Sequence, residues 1–273
     1  ESWQATEKPE SKARHMGWSV GGQQKNQSLK EGVICYGRRT FLLNLPKYHL
    51  NIRTLMLMTK KQAIAIITKC AKQYQQYLEG NQVVFVYRDE NNKSNHTAVR
   101  FHSHNFLHFT GVTPRTGMNA NGFYRAALNN RLSENDFSFK SNHTTELKLK
   151  VLGIIMSMDT SARMIGNYTG PHLELYTEKV TGTTTACLGL IQSKDCYIPN
   201  SVLSEDIRSI VPKPPGKIFA IFKKPIGAPL YTQLTYKSKN ISITKKCLPK
   251  ELLTEVDTSL LEDNNNSDDN EPA

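Results

Sequence analysis

The chain has 273 residues, 38% of them hydrophobic, and Lys plus Arg outnumber Asp plus Glu by 35 to 24, giving a formal net charge of +11. No apolar run approaches the roughly 18 residues of a membrane-spanning helix, and five scattered cysteines without a CxxC pair argue against a disulfide framework and for reduced thiols in a cytoplasm. Residues 1–57 carry +5, the segment EDNNNSDDNEPA carries −5, and the body between them carries +11, which points to a polyanionic partner, nucleic acid first.

Residues 1–57 show no sustained period, and Pro46 interrupts the run RRTFLLNLPKYHLNIRTLML. Met58 reads as a natural beginning, so 1–57 are expected to be an upstream extension outside the domain. The segment MTKKQAIAIITKCAKQYQQYLEG predicts a helix capped by Thr59, with Ala63, Ile67, Cys70, Tyr74 and Leu78 on one face and Gly80 at its end. A hairpin follows, QVVFVYRD (82–89) turning through ENNKSN into HTAVRFH (96–102).

The next stretch, VRFHSHNFLHFTG, reads as a continued strand with His102, His104, His108 and Thr110 on one parity and Phe101, Leu107 and Phe109 on the other. His102 and His104 could chelate a metal, but His108 lies about 13 Å further along a strand, too far to close one tetrahedral site. His108 differs from the other two because it sits inside an apolar run, where a polar side chain needs a partner or a task.

Two helices follow. NANGFYRAALNNRL (119–132) buries Phe123, Ala126, Ala127 and Leu128. HTTELKLKVLGIIMSM (143–158) carries Leu147, Val151, Ile154, Ile155 and Met158, with a threonine as cap and Lys148 on the polar side. Strands are expected in HLELYTEK, TTACLGLIQ and DCYIPNS, then in KIFAIFKK (217–224) and PLYTQLTYKS (229–238). Helices first and antiparallel-looking strands behind predict an α+β domain of about 58–247, followed by an acidic, disordered tail over 248–273. No glycine-rich phosphate loop follows a strand, and no cofactor is expected.

Taken in order, FLHFTGV, NGFYRAALNNRLSENDF, TTELKLKVL, YIPNSVLSEDI and IFAIFKK with LYTQLTY resemble the phage group of barnase, EndoU, colicin and RelE-like (BECR) nucleases, its fourth subgroup, across most of 60–238. The resemblance implies helices packed on an antiparallel sheet of about four or more strands, and a metal-independent endoribonuclease. The matching positions are His108 and Thr110, Phe123 and Tyr124, Lys148, the Pro199-Asn200-Ser201 block, Lys223 and Tyr231. Phe109 stands where an aliphatic residue is usual.

RNA supplies its own nucleophile, the 2′-hydroxyl, so cleavage to a 2′,3′-cyclic phosphate needs a base, cations and short donors. On this reading His108 is the base, Lys148 and Lys223 are the cations, and Thr110 and Ser201 complete the catalytic set. Tyr124, Asn200 and Tyr231 bind substrate. The implied partners are RNA (tRNA or mRNA) and an immunity or antitoxin protein, in the cytoplasm of a bacterial host. Two other readings stand beside it: a binding module without turnover on the same scaffold, and a zinc hydrolase built on His102 and His104. Plain structural roles also compete: Phe123 and Tyr124 as core, the Pro199–Ser201 block as a turn and helix cap, and Lys223 as an edge guard.

Overall fold

In the computed structural model, residues 58–170, 176–239 and 241–262 are described. The expected extension over 1–57 and the end of the acidic tail lie outside them. Helix α1 (Lys60–Tyr77) begins as its sequence dictates. Thr59 accepts from the Gln62 amide at 3.2 Å while Gln62 reaches back to the Thr59 amide at 2.8 Å, a reciprocal capping box. Ala63, Ile67, Cys70, Tyr74 and Leu78 are all buried, and the helix ends before Gly80 at a φ of 73°.

The hairpin of β1 (Asn81–Arg88) and β2 (Ser94–Arg100) follows. Strand β1 is apolar on both faces for a physical reason. Val83 and Phe85 face the helices, whereas Val84 and Val86 belong to a second hydrophobic cluster on the opposite side. The remaining strands are β3 (Thr113–Pro114), β4 (Phe137–Ser138), β5 (Met164–Asn167), β6 (Lys179–Gly182), β7 (Cys187–Ser193), β8 (Cys196–Leu203), β9 (Gly216–Pro225) and β10 (Gln233–Lys237). The main sheet runs β1-β2-β8-β7-β6-β5-β9-β10, and β1 also pairs with β9, so seven strands close into a ring. Its pairings are antiparallel except β2 with β8, which meet in parallel at Val99 and Tyr197.

Helices α2 (Asn105–Thr110), α3 (Ala120–Leu128), α4 (Thr144–Ile155) and α5 (Met158–Ser161) join α1 in an α+β fold. Phe106, Phe109, Phe123, Tyr124 and Leu149 from these helices, and Phe101 just after β2, are among the buried residues of the first cluster.

The structure departs from the sequence reading in several places, among them Met164–Asn167, a strand where none was expected. Residues 105–110 are helical, because Phe106, Phe109 and Thr110 are buried at helical spacing and Gly111 ends the turn at a φ of 68°. Asn105 fixes the entry: its Oδ1 accepts from the His102 amide at 2.8 Å and its Nδ2 donates to the Pro199 carbonyl at 3.2 Å. On helix α4 the predicted stripe is only partly met. Val151 and Ile155 are buried as expected, but Thr145, Glu146, Leu149 and Leu152 are buried as well, while Leu147 and Ile154 are only partly covered.

The expected disordered tail departs as well, since its described residues, 248–262, are packed against the domain. Leu248, Leu252 and Val256 are buried with Ile243, Phe222 and Tyr231 in the second cluster. Short 3-10 turns at Lys245–Cys247, Lys250–Leu252 and Thr258–Leu260 carry them there. Three apolar residues spaced four apart overcome the polar composition around them.

Candidate active site

The site starts from the first turn of α4. The Thr145 hydroxyl donates to the Gly111 carbonyl at 2.8 Å and accepts from the Lys140 amide at 3.0 Å. It therefore ties the start of α4 to the end of α2. Lys148 lies three residues on, on the same side of the helix. Its stem crosses Gly111 so closely that a Cβ there would stand 2.8 Å from the Lys148 Cδ. Gly111 is thus needed twice, for its left-handed backbone and for the room it leaves.

The Lys148 ammonium donates to the His108 carbonyl and to the Ser201 hydroxyl, each at 3.1 Å. Both acceptors are neutral, and among the described residues no carboxylate pairs with it. An ammonium carries three donors, so one is left for an incoming anion. Burial, reinforced by the charge of Lys140, lowers the Lys148 pKa to about 8.

His108 occupies the last turn of α2 with its ring at the surface. Among the described residues its ring nitrogens have no hydrogen-bond partner. Partial desolvation at its base, followed by the charges of Lys148, His104 and Lys140, holds its pKa below the ordinary histidine value. His104, His108, Lys140 and Lys148 thus form a basic cluster in which, among the described residues, no member is paired with a carboxylate.

Three of the sequence-predicted residues therefore meet: His108, Lys148 and Ser201, the last buried on β8. Thr110 lies beside them but is fully occupied. Its hydroxyl donates to the Leu107 carbonyl at 2.8 Å and accepts from the Val112 amide at 3.3 Å, finishing the helix. Asn200 is the extra residue of a bulge, since Gly189 faces Ser201 and Leu190 faces Pro199. It accepts from Thr177 at 3.2 Å and donates to the Tyr176 carbonyl. The Pro199–Ser201 block is thus strand, not a turn and helix cap.

The other candidates sit in places of their own. Lys223 pairs with the buried Asp159 at 2.8 Å and donates to the Tyr77 carbonyl at 3.2 Å. Tyr124 is buried with its hydroxyl donating to Glu79 at 2.8 Å, and Phe123 is core. Tyr231 is buried in the second cluster, its hydroxyl accepting from Gln82 at 2.7 Å and its ring 4.3 Å from the Lys224 ammonium. Neither tyrosine ring is open to a base. His102 and His104 stack with ring centroids 5.4 Å apart, and among the described residues no three metal-ligating side chains gather.

Sequence reasoning missed Lys140 and the clamp of Asn105. Lys140 gave no signal, because it stands in a polar connection ahead of α4. Asn105 could have been suspected as a polar residue on the parity assigned to the buried face.

Residues 66–240, well over half of the chain and including every residue of this cluster, match the family described as phage-Barnase-EndoU-ColicinE5/D-RelE like nuclease 4. No curated protein and no solved structure matches the chain. The α+β architecture agrees with that assignment, and the chain belongs to the phage BECR-type nuclease 4 family.

Proposed function

We propose that the protein is a metal-independent endoribonuclease that cleaves RNA by attack of the 2′-hydroxyl on the adjacent phosphate. The observation that carries this reading is the Lys148 ammonium, held between two neutral acceptors with no carboxylate to neutralise it. A cation left unpaired in a partly buried setting is suited to the charge that develops on a phosphorane.

His108, 40 residues earlier in the chain, supplies the carbonyl that steers Lys148 and the imidazole that takes the 2′-proton. Its lowered pKa keeps the imidazole neutral, and so able to accept a proton, at pH 7. Ser201 orients the ammonium. Transfer of the 2′-proton to His108, formation of the P–O2′ bond and loss of the 5′-oxygen give a 2′,3′-cyclic phosphate and a 5′-hydroxyl. The basic cluster attracts the RNA backbone. Thr110, Asn200, Tyr124, Tyr231 and Lys223 hold the scaffold and receive no chemical role. A phage or mobile-element setting, in which such an enzyme acts as a toxin in a bacterial cytoplasm beside an immunity protein, is consistent with the family.

The test is incubation of total tRNA and mRNA with the protein in EDTA, followed by end-group analysis. Cleavage to cyclic phosphate ends, abolished by His108→Ala in a folded protein, is the expected result. Equal cleavage by that variant removes His108 from the chemistry. Binding without cleavage by the wild type favours a non-catalytic nucleic-acid-binding module.

A further inference from the structure

The reaction above needs a proton donor for the departing 5′-oxygen, and the residues assigned so far do not provide one. A second histidine lies at the same helix end. His143 is the residue preceding α4, at a left-handed φ of 59°, and its side chain makes no capping hydrogen bond. Histidine is among the non-glycine residues that adopt left-handed backbone, but it is uncommon as a cap, where Ser, Thr, Asp or Asn are favoured.

Glu146 occupies the third helical position, from which a glutamate ordinarily reaches back to the backbone amide of the cap residue. Here its Oε1 meets the imidazole Nδ1 of His143 at 3.3 Å instead, while the His143 amide donates to the Lys140 carbonyl. Glu146 is only 6% exposed, and its Oε2 is buried without any hydrogen-bond partner. A buried carboxylate oxygen left unpartnered is unfavourable. His143 is the side-chain partner that Glu146 has among the described residues. A carboxylate on Nδ1 fixes the ring and leaves Nε2 pointing away from it, the arrangement by which a third group orients a catalytic histidine.

The backbone next to His143 borders the stem of Lys148. The main chain of Thr144, next to His143, lies 3.4 Å from the point a Gly111 Cβ would occupy, and the Lys148 Cδ lies 2.8 Å from it. Lys140, whose carbonyl receives the His143 amide, is also close enough to act electrostatically on both His108 and Lys148.

We propose that His143 is a second catalytic residue, the general acid of the cleavage, with Glu146 as its positioning residue. This rests on the ribonuclease reading. As the P–O5′ bond breaks, the Nε2–H of protonated His143 passes its proton to the 5′-oxygen, while His108 holds the proton taken from the 2′-oxygen. One histidine gains a proton and the other loses one, so the step balances.

The experiment uses an RNA that the wild type cleaves at a mapped position, and the same RNA with the bridging 5′-oxygen there replaced by sulfur. A thiolate leaves without protonation. His143→Asn, which tolerates the left-handed backbone, is expected to slow cleavage of the oxygen RNA by about 10²–10⁴-fold while cleaving the sulfur RNA at nearly the wild-type rate. Glu146→Gln is expected to show a smaller loss with the same selectivity, and His108→Ala to lose both substrates. If His143→Asn slows both RNAs equally, or neither, the proposal is overturned while the ribonuclease reading stands. If the wild type cleaves no RNA, both are overturned.

Discussion

The Lys148 Nζ and the Ser201 Oγ lie 3.1 Å apart, joining a helix to a strand 53 residues later without a carboxylate between them. Lys223, by contrast, stands 2.8 Å from Asp159. The same side chain is left electrostatically open in one place and closed in the other.

An open, partly buried cation stabilises a bound anion and destabilises the fold. The Lys148 pKa of about 8 lies below the ordinary lysine value of 10.5, so between these values the unfolded chain binds the extra proton. The penalty is therefore fully present below about pH 8, and stability rises as the pH climbs from there towards 10.5. Lys148→Met should abolish RNA cleavage, raise stability at pH 7 by about 1–2 kcal/mol, and lose this pH dependence. Urea denaturation at pH 7 and 9.5, beside a cleavage assay, measures all three.

For the sulfur-bridged RNA, whose leaving group needs no proton from His143, the pH profile of cleavage should be a bell. Activity should rise through a midpoint below the ordinary histidine value as His108 loses its proton, and decline around pH 8 as Lys148 loses its own. Values of kcat/KM taken from pH 4.5 to 9.5 check both limbs. An acid limb at or above the ordinary histidine pKa would count against His108 as the base.

Gly111→Ala should fail on two grounds, left-handed backbone and contact with the Lys148 stem. The backbone alone costs about 1–2 kcal/mol, and displacement of Lys148 should reduce cleavage well beyond what the lost stability explains. Thermal melts and cleavage rates at a temperature where the variant is folded separate the two effects.

Lys223→Met strands Asp159, which is 2% exposed, and should cost about 3–5 kcal/mol. Pairing it with Asp159→Leu should recover much of the loss. Cleavage per folded molecule should remain near wild type in the double variant. A complete loss of turnover in that folded variant would return Lys223 to the active site.

These contrasts explain what could be read in advance. The spacing of Ala63, Ile67, Cys70, Tyr74 and Leu78 was enough for α1, because a long amphipathic helix declares its period. The β1–β2 hairpin and the strands carrying the Pro199–Ser201 block and Lys223 were legible from apolar runs bounded by turn residues. The stretch from His102 to Thr110 was not, since a short apolar run fits both periods and the deciding contact, Asn105 to Pro199, spans 94 residues. Within the site, His108 stood out by its apolar neighbours in the chain, whereas Lys148 and Ser201 were named only through the family resemblance. What separates Lys148 from Lys223 is a partner 64 residues away, which no local pattern contains. His143 was passed over because its value lies in a buried glutamate, and burial on α4 did not follow the predicted stripe.

The second hydrophobic cluster bears on how the protein is handled. A fragment trimmed to the matched limits, 66–240, would keep His108, Lys148, Ser201 and His143. It would also begin inside α1, without the Thr59–Gln62 cap, and would strip Ile243, Leu248, Leu252 and Val256 from Phe222 and Tyr231. The newly wetted face would then favour self-association, so that a precipitate could be mistaken for an inactive enzyme. Recombinant work should span at least residues 58–262, the stretch over which both faces of β1 are covered.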